Sequence, residues 1–234
     1  MMNVQHHSGG ATAAAHADLE PEVVALLRHI PQQERSIQRV NLILATADAL
    51  FAEVGYDAVT TNQIAAQAAL PIGSLYQFFE DKATILQALA VRYRAGLVQL
   101  LPDHPQPQAS IVAATDQFLN KLFAFGSERW GFTRILLLGS ASPETKPAVR
   151  AVQDDLVRHL AQVVAPYLSH LRADEQVEVA TIAMTAFQAL LAHAVTLKYT
   201  LAYAEGHAAM TCAFTHTKLM IGAYLERLTT VVQV

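Results

Sequence analysis

The chain has 234 residues, 53% of them hydrophobic and only 15% charged, with a formal net charge of −4. That length supports one large or two modest domains, with enough buried surface to need no staples. The acidic balance excludes a generally sticky nucleic-acid binder, and a single cysteine, Cys212, excludes an internal disulfide and fits a reducing cytoplasm.

Residues 1–32 read as a flexible N-terminal extension with a short helix. The first seventeen residues are small and polar and lack the cationic start and apolar stretch of a signal peptide. Across 18–30, Asp18 suits a cap, and Val23, Val24, Leu27 and Ile30 share a face. Glu20 and Glu22 would be repelled by phosphate, so this helix reads as a packing arm. From 33 to 54, Val40, Ile43, Leu44, Ala47, Leu50, Phe51 and Val54 form one helical stripe. Gly55 then supplies a residue that ends helices.

Thr60 and Gln63 make a capping-box pair that opens a short helix to about Ala68. Pro71 suits the first turn of the next helix, where its missing N–H is no loss. Two short helices meeting at a tight turn, the second beginning with small residues, is the layout of a DNA-reading helix-turn-helix. A longer helix starts near Asp81 and runs to Leu101, with Ile85, Leu86, Leu89, Tyr93, Leu97 and Leu100 inward. The proline-rich 102–107 is a linker.

Helical periods return over 110–125 and 130–138, and two prolines break the pattern in 139–147. They resume over 148–171 with a kink at Pro166, then from Asp174 to about Tyr203, and after Gly206 over 207–228. The β-branched residues all sit inside helical periods, so the fold class is all-α. No uninterrupted apolar run reaches the roughly 18 residues of a membrane span, so no membrane is expected.

The residues Ile43-Leu44-Ala45-Thr46-Ala47, Leu50-Phe51, Gly55-Tyr56, Thr60, Ile64-Ala65, Gly73-Ser74-Leu75-Tyr76, Phe79, Lys82 and Leu86 form a specific set. Over about 36–90 the chain resembles the tetracycline-repressor (TetR) family of bacterial regulators. The resemblance implies a three-helix helix-turn-helix DNA-binding domain over 33–82 and a helical effector-binding and dimerisation domain over 83–234. Ala69 departs from the pattern, standing where the family's turn usually has Gly; Pro71 replaces its usual Ser or Thr cap.

By resemblance, Asn62, Ile72, Gly73 and Gln77 face base edges, while Thr61, Ser74, Tyr76 and Lys82 grip phosphates. The chemistry agrees. Gly73 and Ser74 are small enough for deep insertion, Gln77 matches adenine N6/N7, Ile72 offers a thymine methyl an apolar contact, and the Tyr76 hydroxyl is a phosphate donor. Tyr76 and Lys82 as ordinary surface residues, and Arg35 and Arg39 as a solvated helix start, are the bland alternatives. Basic residues are few from 34 to 85: Arg35, Arg39 and Lys82 face six acidic residues. Few phosphates are then neutralised, and the salt dependence of binding is modest.

The family's habit places an effector pocket in the helical domain. Tyr93, Phe118, Leu122, Trp130 and Phe187 are its expected apolar lining, with Phe132, Ile135, Leu136 and Leu191 beside them. Arg92, Arg134, Gln188 and His193 are its expected polar anchors. The expected ligand is a small apolar or aromatic molecule. The last two helices are the expected homodimer interface, through Val177, Ala180, Ile182, Ala183, Ala186, Leu190 and Ala194, continued by Met210, Phe214, Leu219, Ile221 and Leu225. None of the ten histidines pairs with another at i, i+4, so no metal and no cofactor are expected, and no catalytic grouping points to an enzyme.

The expected function is therefore a cytoplasmic, TetR-like transcriptional regulator. It would bind a palindromic double-stranded operator as a dimer, most simply as a repressor released by its ligand. The alternative is an interaction module of the same fold that has lost specific DNA binding.

Overall fold

A computed structural model describes residues 19–101, 108–138, 143, 146–200 and 203–230. The described residues form helices joined by short turns, with no strand among them. In chain order these are α1 (Pro21–Leu26), α2 (Glu34–Val54), α3 (Thr61–Gln67), α4 (Ile72–Phe78), α5 (Lys82–Leu100), α6 (Ile111–Glu128), α7 (Trp130–Leu138), α8 (Lys146–Val164), α9 (Ala173–Thr200) and α10 (Tyr203–Thr230). A 3₁₀ turn, Ala165–Tyr167, follows α8. The expected kink at Pro166 is thus a helix end: proline cannot continue the α-helical hydrogen bonding.

The first helix is shorter than its apolar spacing suggests. It stops at Leu27, whose backbone turns extended. Asp18, the expected cap, lies outside the described residues. From Leu19 onward this segment belongs to the folded core: Leu19, Val23 and Leu27 are buried, and Glu20 pairs with Arg92 of α5 at 3.2 Å. The arm also touches α4, where the Arg28 N–H donates to the Phe78 carbonyl at 2.9 Å and the His29 ring lies 2.9 Å from the Gln77 carbonyl. At the other end of the chain, α10 begins at Tyr203 and runs through Gly206. Glycine lowers helix propensity by about 1 kcal/mol, a cost that does not break the helix here.

The α2 stripe is buried as its periodicity predicts. Val40, Ile43, Leu44, Ala47 and Phe51 are fully inaccessible, and Phe51 meets Tyr56 with ring centroids 5.3 Å apart. The helical body is closed by α9 packed along α10, with α6 and α8 against them. Phe123 of α6 stacks on Phe214 of α10 at 4.1 Å, and Lys218 of α10 reaches Asp116 of α6 at 2.6 Å. Inside the body, Asp155 of α8 is buried and joined by Arg94 of α5 at 2.5 Å and Arg158 at 2.8 Å. Burial alone would raise its pKa, but the hydrogen bonds and charges of the two arginines outweigh that and hold it below the ordinary carboxylate value.

The residues expected at a dimer interface divide into two groups. Ala180, Ala183, Ala194, Met210, Phe214, Ile221 and Leu225 are buried within the chain, because α9 and α10 pack on each other. Val177, Ile182, Leu190 and Leu219, together with Met220, lie exposed on the outer side. Among the described residues, one helical stretch, Ala173–Thr196, is long and apolar enough to cross a membrane. Its composition follows from having apolar side chains on both its packed and its outer faces.

Candidate nucleic-acid interface

The reading surface rests on two short helices whose ends are fixed locally. Thr60 caps α3: its Oγ1 accepts from the Gln63 N–H at 3.2 Å, and Gln63 Oε1 accepts from the Thr60 N–H at 2.8 Å. Two otherwise orphaned donors are satisfied reciprocally. The following turn has no glycine. Ala69 takes φ +53°, the left-handed region that L-residues enter at a cost of about 1–2 kcal/mol. Pro71 then precedes α4 with no side-chain cap, and the Ser74 N–H donates to the Pro71 carbonyl at 2.8 Å.

Beneath the two helices, Ile64, Leu75, Phe78 and Phe79 are buried. This inner face sets which residues of α4 point outward. Ile72 is 37% exposed and Tyr76 42% exposed; Asn62, Gly73 and Gln77 are also exposed, and Thr61 and Ser74 are half-buried. A Cβ built on Gly73 would meet nothing within 4 Å, so open space lies outside it. The Thr61 and Tyr76 hydroxyls sit 3.0 Å apart, joining α3 to α4 across the turn.

Lys82 departs from expectation. Its ammonium does not project freely: it donates to the carbonyls of Tyr56 and Val59, each at 2.8 Å, and lies 4.2 Å from the centre of the Tyr56 ring. The side chain therefore ties the start of α5 to the loop between α2 and α3. Any phosphate contact would have to share an ammonium already holding two carbonyls. Its position at the start of α5, next to Asp81, was visible in the sequence; that Asp81 caps the helix and that the Lys82 side chain turns inward were not.

The body holds an apolar cavity of about 30 Å³ lined by α5, α6, α7, α8 and α9. Tyr93, Leu122, Trp130 and Phe187 line it as expected, as do Leu136, Gln188 and Leu191. The Phe132 side chain lies outside the described residues. The other expected residues do not line the cavity: Ile135 is buried elsewhere in the core, Arg92 pairs with Glu20, and Phe118, His193 and Arg134 also stay out. Phe118 is buried elsewhere in the core. His193 lies exposed on α9. Arg134 turns the opposite way and donates to the carbonyls of Phe51 and Ala52 at 3.4 and 3.1 Å, at the end of α2.

The wall includes residues that spacing alone did not single out. Thr133 donates to the Gly126 carbonyl at 3.0 Å and lies 3.4 Å from the Tyr93 hydroxyl. Desolvation pushes the Tyr93 pKa up to about 12, so the phenol stays neutral. Short helix α7 faces two ways: Thr133 and Leu136 reach the cavity, while Gly131 and Arg134 meet α2. A Cβ on Gly131 would collide with the Asp48 carbonyl, so glycine permits that close approach.

Residues 43–89, which span most of α2 through the first turns of α5, match the family described as bacterial regulatory proteins, tetR family. Over those residues the chain is similar to that family. The chain is 35% identical over 85 residues to the HTH-type transcriptional repressor BepR of Brucella suis biovar 1 (strain 1330), covering 32% of this chain and 41% of that protein. It thus spans about two-fifths of the length of that curated relative. A TetR-family transcriptional regulator from Syntrophomonas wolfei str. Goettingen aligns with TM-score 0.60 at 13% identity, covering 86% of this chain and 99% of that one. TylP, a TetR regulator from Streptomyces fradiae, aligns with TM-score 0.54 at 21% identity, covering 82% and 92%. At these identities the two solved structures speak for the fold alone: a helix-turn-helix head followed by a helical body.

Proposed function

We propose that this chain is a transcriptional repressor that binds a palindromic operator as a homodimer and is released by a small apolar or aromatic ligand. The observation that carries the reading is the outward face of α3 and α4. There the hydroxyls of Thr61 and Tyr76, 3.0 Å apart, stand beside exposed Asn62, Ile72, Gly73 and Gln77. Hydroxyls suit phosphate oxygens, and Gln77 presents a donor–acceptor pair suited to adenine. Lys82 serves this surface by holding its support together. The exposed cations Arg28, Arg35 and Arg39 are the nearby sources of positive charge.

The exposed Val177, Ile182, Leu190, Leu219 and Met220 on α9 and α10 support dimerisation, as a set of large apolar residues that a partner copy would cover. Two heads about 34–36 Å apart then enter successive major grooves. The name of BepR as a repressor favours repression here. Ligand release requires the body to open, because a cavity of about 30 Å³ is far below the roughly 300 Å³ of a small-molecule site. Parting α7 from α9 would displace Gly131 and Arg134, which bear on the head. A ligand that favours the opened body would thereby lower the DNA-competent population.

Selection of bound duplexes from a random pool by the purified, folded chain tests the reading. A recovered palindrome with two similar half-sites is expected. No enrichment over the starting pool overturns operator binding and leaves a helical interaction module.

A further inference from the structure

We propose that the cleft where the head meets the body is a second ligand site, built for a small carboxylate. It is distinct from the apolar cavity, although Tyr93 borders both. Its volume is about 150 Å³, and its walls come from α2, α5 and the junction between α6 and α7. Leu44 and Leu89 supply apolar surface, and Arg92 and Arg129 both line the same space.

Each guanidinium is held in position by contacts that use only part of its donor set. Arg92 donates through Nε to Glu20 at 3.2 Å and through Nη2 to Asn41 Oδ1. Arg129 donates through Nη1 to Glu128 at 3.1 Å and to the Phe125 carbonyl at 3.4 Å, and its plane lies 4.0 Å from the Phe125 ring centre. A guanidinium carries five N–H donors in a fork that matches a carboxylate, so both retain donors for a ligand.

The acidic neighbour does not cancel this. Asp48 Oδ1 lies 2.5 Å from where a Gly131 Cβ would stand, against the first turn of α7, whose positive end suits it. Asp48 lines the space, whereas Glu20 and Glu128 meet Arg92 and Arg129 from outside the lining set. The space thus sets Leu44 and Leu89 beside two arginines and the Asp48 carboxylate, and the arginines keep donors that their acidic partners do not use. At roughly 30 Å³ per water-sized group, it admits a ligand of about five or six non-hydrogen atoms, such as a four-carbon monocarboxylate. A molecule seated there touches α2 of the head and α5 of the body together, so it would fix the angle between them. The site depends on neither DNA binding nor the ligand of the apolar cavity.

Calorimetric titration of the full chain with sodium butyrate, with butyramide and sodium chloride as controls at equal ionic strength, tests the site. One equivalent of butyrate per chain is expected, with Kd on the order of 1 mM and at least roughly tenfold weaker binding of the neutral amide. Arg129→Gln, which removes a side chain bonded only within its own helix end, should weaken butyrate about tenfold without lowering the melting temperature. Ala45→Leu, at the exposed edge of the cleft, should do the same by filling it. No heat from butyrate, equal binding of butyramide, or full affinity retained in both variants overturns the proposal.

Discussion

The head and the body use the same chemistry in opposite arrangements. In the head, short helices are fixed by local signals, such as the Thr60–Gln63 box, and carry their candidate functional side chains outside. In the body, long helices bury theirs, and the cavity wall is assembled from residues as distant in sequence as Tyr93 and Leu191. Each region also turns one charge inward as a clamp. Lys82 grips two loop carbonyls in the head, and Asp155 gathers two arginines in the body. A function written on the outside of a locally determined helix can be read from its own few residues. One enclosed by five helices depends on how all of them pack.

The largest effect should come from the head's core. Phe51→Ala removes a fully buried ring and should cost about 3–5 kcal/mol in urea unfolding; a cost below about 1 kcal/mol would mean that the head is not packed as described. Lys82→Met separates the clamp from the phosphate hook. As a clamp it loses about 2 kcal/mol of stability, whereas a hook would lose operator affinity with an unchanged melting curve. Tyr76→Phe should do the reverse, costing no more than about 1 kcal/mol for the lost bond to Thr61 while weakening operator binding about tenfold in a gel-shift titration.

A smaller change of opposite sign is expected at the turn. Ala69→Gly relieves the left-handed backbone and should stabilise the chain by about 0.5–1 kcal/mol in the same urea assay. The finest comparison is a pH series. Because the folded Asp155 has a depressed pKa, its stabilisation is present above the unfolded value near 3.8 and is lost as pH falls through the lower folded value. Asp155→Asn should flatten that part of the acid-unfolding curve; an unchanged slope would remove Asp155 from the account.

Much of the head was legible from residues alone because its determinants are local. The α2 stripe, the Thr60 cap and the start of α5 near Asp81 each depend on one or two helical turns, and each appears where the spacing puts it. The burial of Leu75 and Phe79 followed from the same pattern. Ala69 was visible as an anomaly, and the structure gives its form: alanine held in the conformation glycine would adopt freely. The body was legible as helices but not as faces. Helix α9 is apolar nearly all round, so periodicity could not say that Ala180 and Ala183 pack inside while Ile182 and Leu190 stay out.

By itself, then, the sequence determined the helical class, the position of the reading head and the outward residues of α3 and α4, because hydrophobic period and capping act over a few residues. Tertiary structure alone decided that Lys82 turns inward, that Arg134 holds the end of α2, and that His193 and Phe118 stay out of the cavity. It also brought Arg92 and Arg129 to one cleft. The directions of those side chains depend on neighbours tens of residues away, and no local spacing encodes the angle at which two helices cross.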